Sequence, residues 1–176
     1  MTKMELFNII LSEDPGSKVD DNREEIFKLL LDTNYNPQMF LNNHYRKILE
    51  VLDKVPCNLT LRLAALFHNI GKIWILLSEN DESELFHWEL SQQLFANFAK
   101  RVGLDSGIRN VILNILYFYD LDFDALTINE INGMQNGFTR DEIEKIFILK
   151  EAIAKKEHLE KIAKEKEFTL ERIKIN

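Results

Sequence analysis

One cysteine, three prolines and six glycines among 176 residues leave this chain short of the usual devices for stapling or punctuating a fold. Cys57 alone allows no intrachain disulfide and no thiolate cluster for zinc. It follows Pro56 in an expected loop and is read as incidental. Sparse Pro and Gly mean few turn signals, which disfavours many short strands and favours long helices. No convincing strand pattern, internal repeat or low-complexity tract occurs. No 18-residue apolar run is evident, and the start Met1-Thr2-Lys3-Met4-Glu5-Leu6-Phe7 soon reaches Glu13 and Asp14 without a leader-type apolar core. The expectation is a cytoplasmic protein with no membrane partner. Positive charge is also scarce. Twenty-two Lys and Arg face 29 Asp and Glu, for a net charge of -7 and a pI near 5.2. That balance argues against whole-surface nucleic-acid binding and against DNA, leaving only a local basic patch open.

What the chain does have is apolar residues, 45% of the total beside 29% charged, a mixture that fits a globular fold rather than disorder. A chain of this length can bury roughly 70% of its unfolded surface as one domain. The apolar positions recur at three- and four-residue spacing. Leu6, Ile9 and Ile10 predict a first short helix, stopped by Asp14-Pro15-Gly16, and Ile26, Leu29 and Leu30 predict a second. Tyr45, Ile48, Leu49 and Leu52 predict a third, ending at Val55-Pro56 because proline disfavours a helical residue before it. Leu59 to Asn69 reads as a nearly all-apolar central helix with Gly71 as its C-terminal stop. A polar loop is expected at 78–83, then a helix to Val102 broken by Gly103, and another from Ser106 to Asp120. Asn132-Gly133 and Asn136-Gly137 flank a turn. Thr139 to Glu142 reads as an N-cap before a long helix through Lys156. Beyond it, interleaved Lys and Glu suggest a solvated helix with i,i+4 pairs. The expected fold class is all-α.

The candidate chemistry lies in the histidines. His44 opens the third helix, His68 closes the central one and His87 opens the long one. Three imidazoles at the ends of three consecutive helices suggest a metal or catalytic centre, against the ordinary alternative of satisfied core histidines. His158 lies in the charged tail and carries no expectation.

The spacing around them is more specific. His44, then Val51-Leu52-Asp53-Lys54-Val55-Pro56, then Leu61-Arg62-Leu63-Ala64-Ala65-Leu66-Phe67-His68-Asn69-Ile70-Gly71-Lys72, closely resembles the HD domain of bacterial tRNA nucleotidyltransferases and poly(A) polymerases. His87 with Ser91 resembles the family's next block. Ile115 to Asp120 and Ile146 to Lys155 resemble later ones, and Glu5 to Pro15 and Phe168 to Asn176 the flanks. The likeness covers most of the chain and is sharpest over 44–72. It implies a helical bundle with a lead-in over 1–41, a degenerate HD domain over 42–156 and a charged helical tail over 157–176.

The departures from that pattern concern chemistry. The family's nucleotidyltransferase head is not found in these residues, so CCA addition by this chain alone is not expected. The family's Asp is Asn69, one of its His is Tyr119, and its later Asp is Ile153. Carried over by position, the metal set becomes His44, His68 and Asn69, to which His87 could add a third nitrogen. Asp120 is the nearby carboxylate that could substitute, and Lys72 would face phosphate or else serve as a helix C-terminal cation. Tyr119 would bond a phosphate or fill the volume of the missing His, and Trp74 and Trp88 would cover the pocket mouth or form the core edge. Asn69 cannot supply the charge that offsets two metal ions, so at most one divalent cation (Zn, Mn, Ni or Mg) is expected, weakly held. Two functions follow. One is a binding or accessory module for nucleotide, phosphoester or RNA, with impaired catalysis. The other is a metal-dependent phosphohydrolase in which His44, His68 and His87 hold the metal and Asn69 or Asp120 places the water. The tail cations Lys155, Lys156, Lys161, Lys164 and Lys166 could touch RNA, though neighbouring glutamates cancel much of their field.

Overall fold

The computed structural model describes residues 1–32, 37–77, 87–123 and 138–172, and among them regular structure is helical, with no strand. Ten α-helices follow one another: α1 (Lys3–Ile10), α2 (Pro15–Asp21), α3 (Arg23–Leu31), α4 (Asn43–Lys54), α5 (Leu59–Phe67), α6 (Ile70–Leu77), α7 (His87–Arg101), α8 (Ser106–Phe118), α9 (Arg140–Ile153) and α10 (Leu159–Arg172). Short 3-10 turns at Pro37–Leu41 and Lys156–His158 precede α4 and α10. The expected polar loop at 78–83 and the two Asn-Gly pairs lie outside the described residues.

Local chemistry accounts for most of the helix ends. Asn42, Asn58 and Asp105 accept from backbone N–H groups of α4, α5 and α8, and Thr139 with Glu142 forms a reciprocal capping box at the start of α9, satisfying donors that a helix start leaves bare. Val55 leaves α4 in extended conformation before Pro56, as the steric conflict with the proline ring requires. Gly103 takes a left-handed φ of 60°, which ends the run of α7.

Helix α5 is the axis of the bundle. Leu61 to Phe67 are all buried, and α5 packs against α1, α4, α7, α8 and α9. Phe67, Phe95 and Phe98 interlock around it with ring centroids 5.2–6.4 Å apart. Burial of aromatic rings of this size dominates such a core. Arg62 points inward as well, and its guanidinium donates to the carbonyls of Val55, Pro56, Ile10 and Ser12. It thereby ties the loop after α1 to the loop after α4.

Three local expectations are corrected. Pro15 does not merely stop α1: it is the first residue of a further helix, α2, where a fixed φ and a missing N–H cost nothing. Gly71 does not end the central helix. The chain turns at His68-Asn69 and re-enters helix at Ile70, so Gly71 lies inside α6. Its missing side chain lets α7 approach: a Cβ there would stand 1.9 Å from the His87 carbonyl oxygen, and the Gly71 N–H donates to Ser91 Oγ at 2.9 Å. The charged tail, finally, is not solvated all round. Helix α10 packs on α9 and buries Ile162, Glu165 and Thr169.

Leu59–Leu76 is the one stretch among the described residues with the length and apolarity to cross a membrane, where none was expected, and 67% of it is buried within the bundle.

Candidate functional site

The turn between α5 and α6 sets the site. His68 is the C-terminal cap of α5 and is 1% exposed. Its Nδ1 lies 2.7 Å from the Ala65 carbonyl, so that nitrogen carries the proton and donates. Nε2 is left with a bare lone pair, buried and without a hydrogen-bond partner among the described residues. Burial pushes the imidazole pKa down to about 4, and the positive charges of Lys72 and Lys47, with His44, act in the same direction, against the opposing Ala65 hydrogen bond. His68 is therefore neutral at pH 7.

Tyr119 packs against this imidazole. It caps the end of α8, its hydroxyl donates to the His68 carbonyl at 2.9 Å, and its ring meets the imidazole edge to face with centroids 6.1 Å apart. Burial and the Asp120 charge raise its pKa well above the ordinary phenol range, so it stays a neutral donor. The next residue, Asp120, is largely exposed and stands 3.8 Å from Nε2 of His87. One turn after α8 thus serves two imidazoles, with Tyr119 turned to His68 and Asp120 to His87.

The remaining candidates fall around these two pairs. His44, on the first turn of α4, is half-buried and reaches His68 electrostatically. Asn69 is buried and its backbone carbonyl accepts from the Ile73 N–H. Lys72 sits one turn beyond His68 and is partly exposed. Ile153 lines a cleft with Tyr119 and Asp120. Trp88 packs edge-on against Tyr117 at 5.2 Å, and Trp74 is partly buried against the core. Cys57 is exposed.

These donors fit a resident divalent cation poorly. The bare Nε2 of His68 has the orientation of a ligand, since its other nitrogen is fixed by a carbonyl. The charged side chains acting on it, however, are the cations Lys72 and Lys47, and the nearest candidate carboxylate stands with His87 instead. Among the described residues no three His, Cys, Asp or Glu side chains are grouped to hold a metal ion.

Sequence reasoning missed Lys47, although it lies three residues after His44 and so shares its helix face. It also missed the buried pair Lys150 and Glu165, whose Nζ–Oε1 distance is 2.8 Å. The signal for the second was present: Ile162, Glu165 and Thr169 recur at helical spacing along the tail and mark an inward face.

No protein-family model, curated protein or solved structure matches this chain.

Proposed function

We propose that this chain is a degenerate HD-type helical domain that has given up metal-dependent hydrolysis and acts as a nucleotide- or RNA-related binding or accessory module. The observation that carries the reading is the state of His68. The imidazole that the resemblance would make a metal ligand is neutral and buried, feels the positive charges of Lys72 and Lys47, and is packed by a tyrosine bonded to its own backbone. A phosphohydrolase of this kind needs anionic ligands to offset its metal and to hold a nucleophilic water. Asn69 and Ile153 supply neither, and Lys47 and Lys72 favour an anion over a cation.

A metal-dependent phosphohydrolase is the second reading, favoured by the bare Nε2 of His68 and by Asp120 beside His87. Elemental analysis of the purified chain, with turnover of a generic phosphodiester in Mn²⁺, Ni²⁺ or Mg²⁺, separates the two. The binding-module reading expects sub-stoichiometric metal and no turnover above background. Stoichiometric metal with turnover abolished by His68→Ala would replace it with the hydrolase.

A further inference from the structure

A cleft of about 300 Å³ opens between the turn after α8, the end of α9 and the start of α10, at the small end of the range for small-molecule sites. Neither His68 nor His44 lines it. Tyr119, Ile153 and Ile162 form apolar walls, Lys150 and Glu165 are polar groups within it, and His158 and Lys161 line its more exposed part.

The buried pair is only partly committed. Glu165, 3% exposed, takes both of its hydrogen bonds on Oε1, from the Phe123 N–H at 2.6 Å and from Lys150 Nζ at 2.8 Å. Its Oε2 receives no hydrogen bond from the described residues. Lys150 donates to Glu165 and to the Leu121 carbonyl, and its ammonium, which also lies 5.0 Å from the centroid of the Phe123 ring, carries a third N–H. A pin holding α10 to α9 would need no more than the bonds already made. What is left over is one donor and one acceptor side by side on the wall of the cleft.

A ligand that answers both must present an acceptor next to a donor on one edge, on a body flat enough for aliphatic walls. We propose that the cleft binds an oxo-nucleobase, uracil or guanine, whose ring carbonyl accepts from Lys150 and whose adjacent ring N–H donates to Glu165 Oε2. The acidic ring N–H of these bases suits a carboxylate better than an amino group does. Lys161 is already paired with Asp122 at 3.1 Å and His158 lies 3.7 Å from Glu157. With Lys161 balanced by Asp122, the cleft suits a nucleoside or its monophosphate rather than a polyphosphate.

Isothermal titration of the full chain with UMP, GMP, 3-methyluridine 5′-monophosphate and ribose 5-phosphate tests this. UMP or GMP should bind at least tenfold more tightly than the methylated nucleotide, which lacks the N–H, and than the sugar phosphate, which lacks the base. Ile153→Trp, which fills the cleft from its wall, should abolish that binding while the far-ultraviolet circular dichroism is unchanged. No binding of UMP or GMP at millimolar concentration overturns the proposal, as does equal binding of the methylated nucleotide or undiminished binding to a folded Ile153→Trp variant. The cleft is separate from the imidazoles, so its failure leaves the metal and turnover assay to decide the proposed function independently.

Discussion

The hydroxyl of Tyr119 donates to the backbone carbonyl of His68 at 2.9 Å, across 51 residues of chain. That one bond fastens the end of α8 to the turn between α5 and α6 and covers an imidazole that is otherwise unpartnered on Nε2. Tyr119→Phe keeps the ring and removes the donor, leaving a buried carbonyl unsatisfied. The expected loss is about 1–3 kcal/mol of unfolding free energy, read from urea denaturation. An unchanged midpoint would mean the carbonyl finds water instead.

The neutral state of His68 makes stability depend on pH. Its folded pKa of about 4 lies below its ordinary 6.5, so below pH 6.5 the unfolded chain takes up a proton that the folded chain refuses. This contribution is fully present above pH 6.5, falls as pH drops towards 4, and levels off below that. The span is about 3 kcal/mol, at roughly 1.4 kcal/mol per unit. In His68→Gln the component should vanish, flattening the stability curve between pH 7 and 4.5 relative to the parent chain. Parallel curves would show that His68 is accessible to protons when folded.

Gly71 and Gly103 should respond oppositely to what their positions suggest. Gly103 has a left-handed φ but open space around it, so Gly103→Ala should cost only about 1–2 kcal/mol of backbone strain. Gly71 has an ordinary helical φ yet faces a backbone carbonyl that cannot move alone. Gly71→Ala must push α6 and α7 apart, and its cost should reach or exceed the about 1–3 kcal/mol usual for overpacking. Thermal melts of the two variants side by side give the order.

Arg62 serves four carbonyls from two loops, and among the described residues no carboxylate shares it. Arg62→Lys keeps the charge, but a compact ammonium cannot span that fork. A loss of at least about 2 kcal/mol is expected from unmade bonds to buried acceptors. Chemical denaturation showing Lys to be neutral would contradict the guanidinium geometry as the reason for this residue.

Asn69→Asp restores the resembled motif by one atom, and it should not restore hydrolysis. Tyr119 still packs against His68, Ile153 offers no ligand at the position where the resemblance puts a carboxylate, and the charges of Lys47 and Lys72 still act on the imidazole. Phosphodiester turnover with Mn²⁺ should stay at background. A large gain from this single change would mean that the other departures matter little.

The helices themselves were legible in the chain because each rests on local rules. Thr139 and Glu142 sit at capping-box spacing, Val55 precedes a proline, and Leu61 to Phe67 is too apolar to face water. The His44, His68 and His87 positions at helix ends were legible for the same reason. Pro15 was misread because a proline that ends one helix and one that begins the next look alike in sequence. Gly71 was misread because its reason lies in α7, sixteen residues on, and no local pattern records how closely two helices approach.

By itself the sequence determined an all-helical chain with a buried α5, since periodicity, caps and apolar content act over a few residues and need no partner. Tertiary structure alone decided that Tyr119 turns to His68 while Asp120 turns to His87, that the charges of Lys72 and Lys47 act on the buried imidazole, and that Glu165 of a highly charged tail is enclosed against Lys150. Those outcomes depend on distances between residues far apart in the chain. Electrostatics in a low-dielectric interior are set by those distances, and residue order carries them only once the helices have packed.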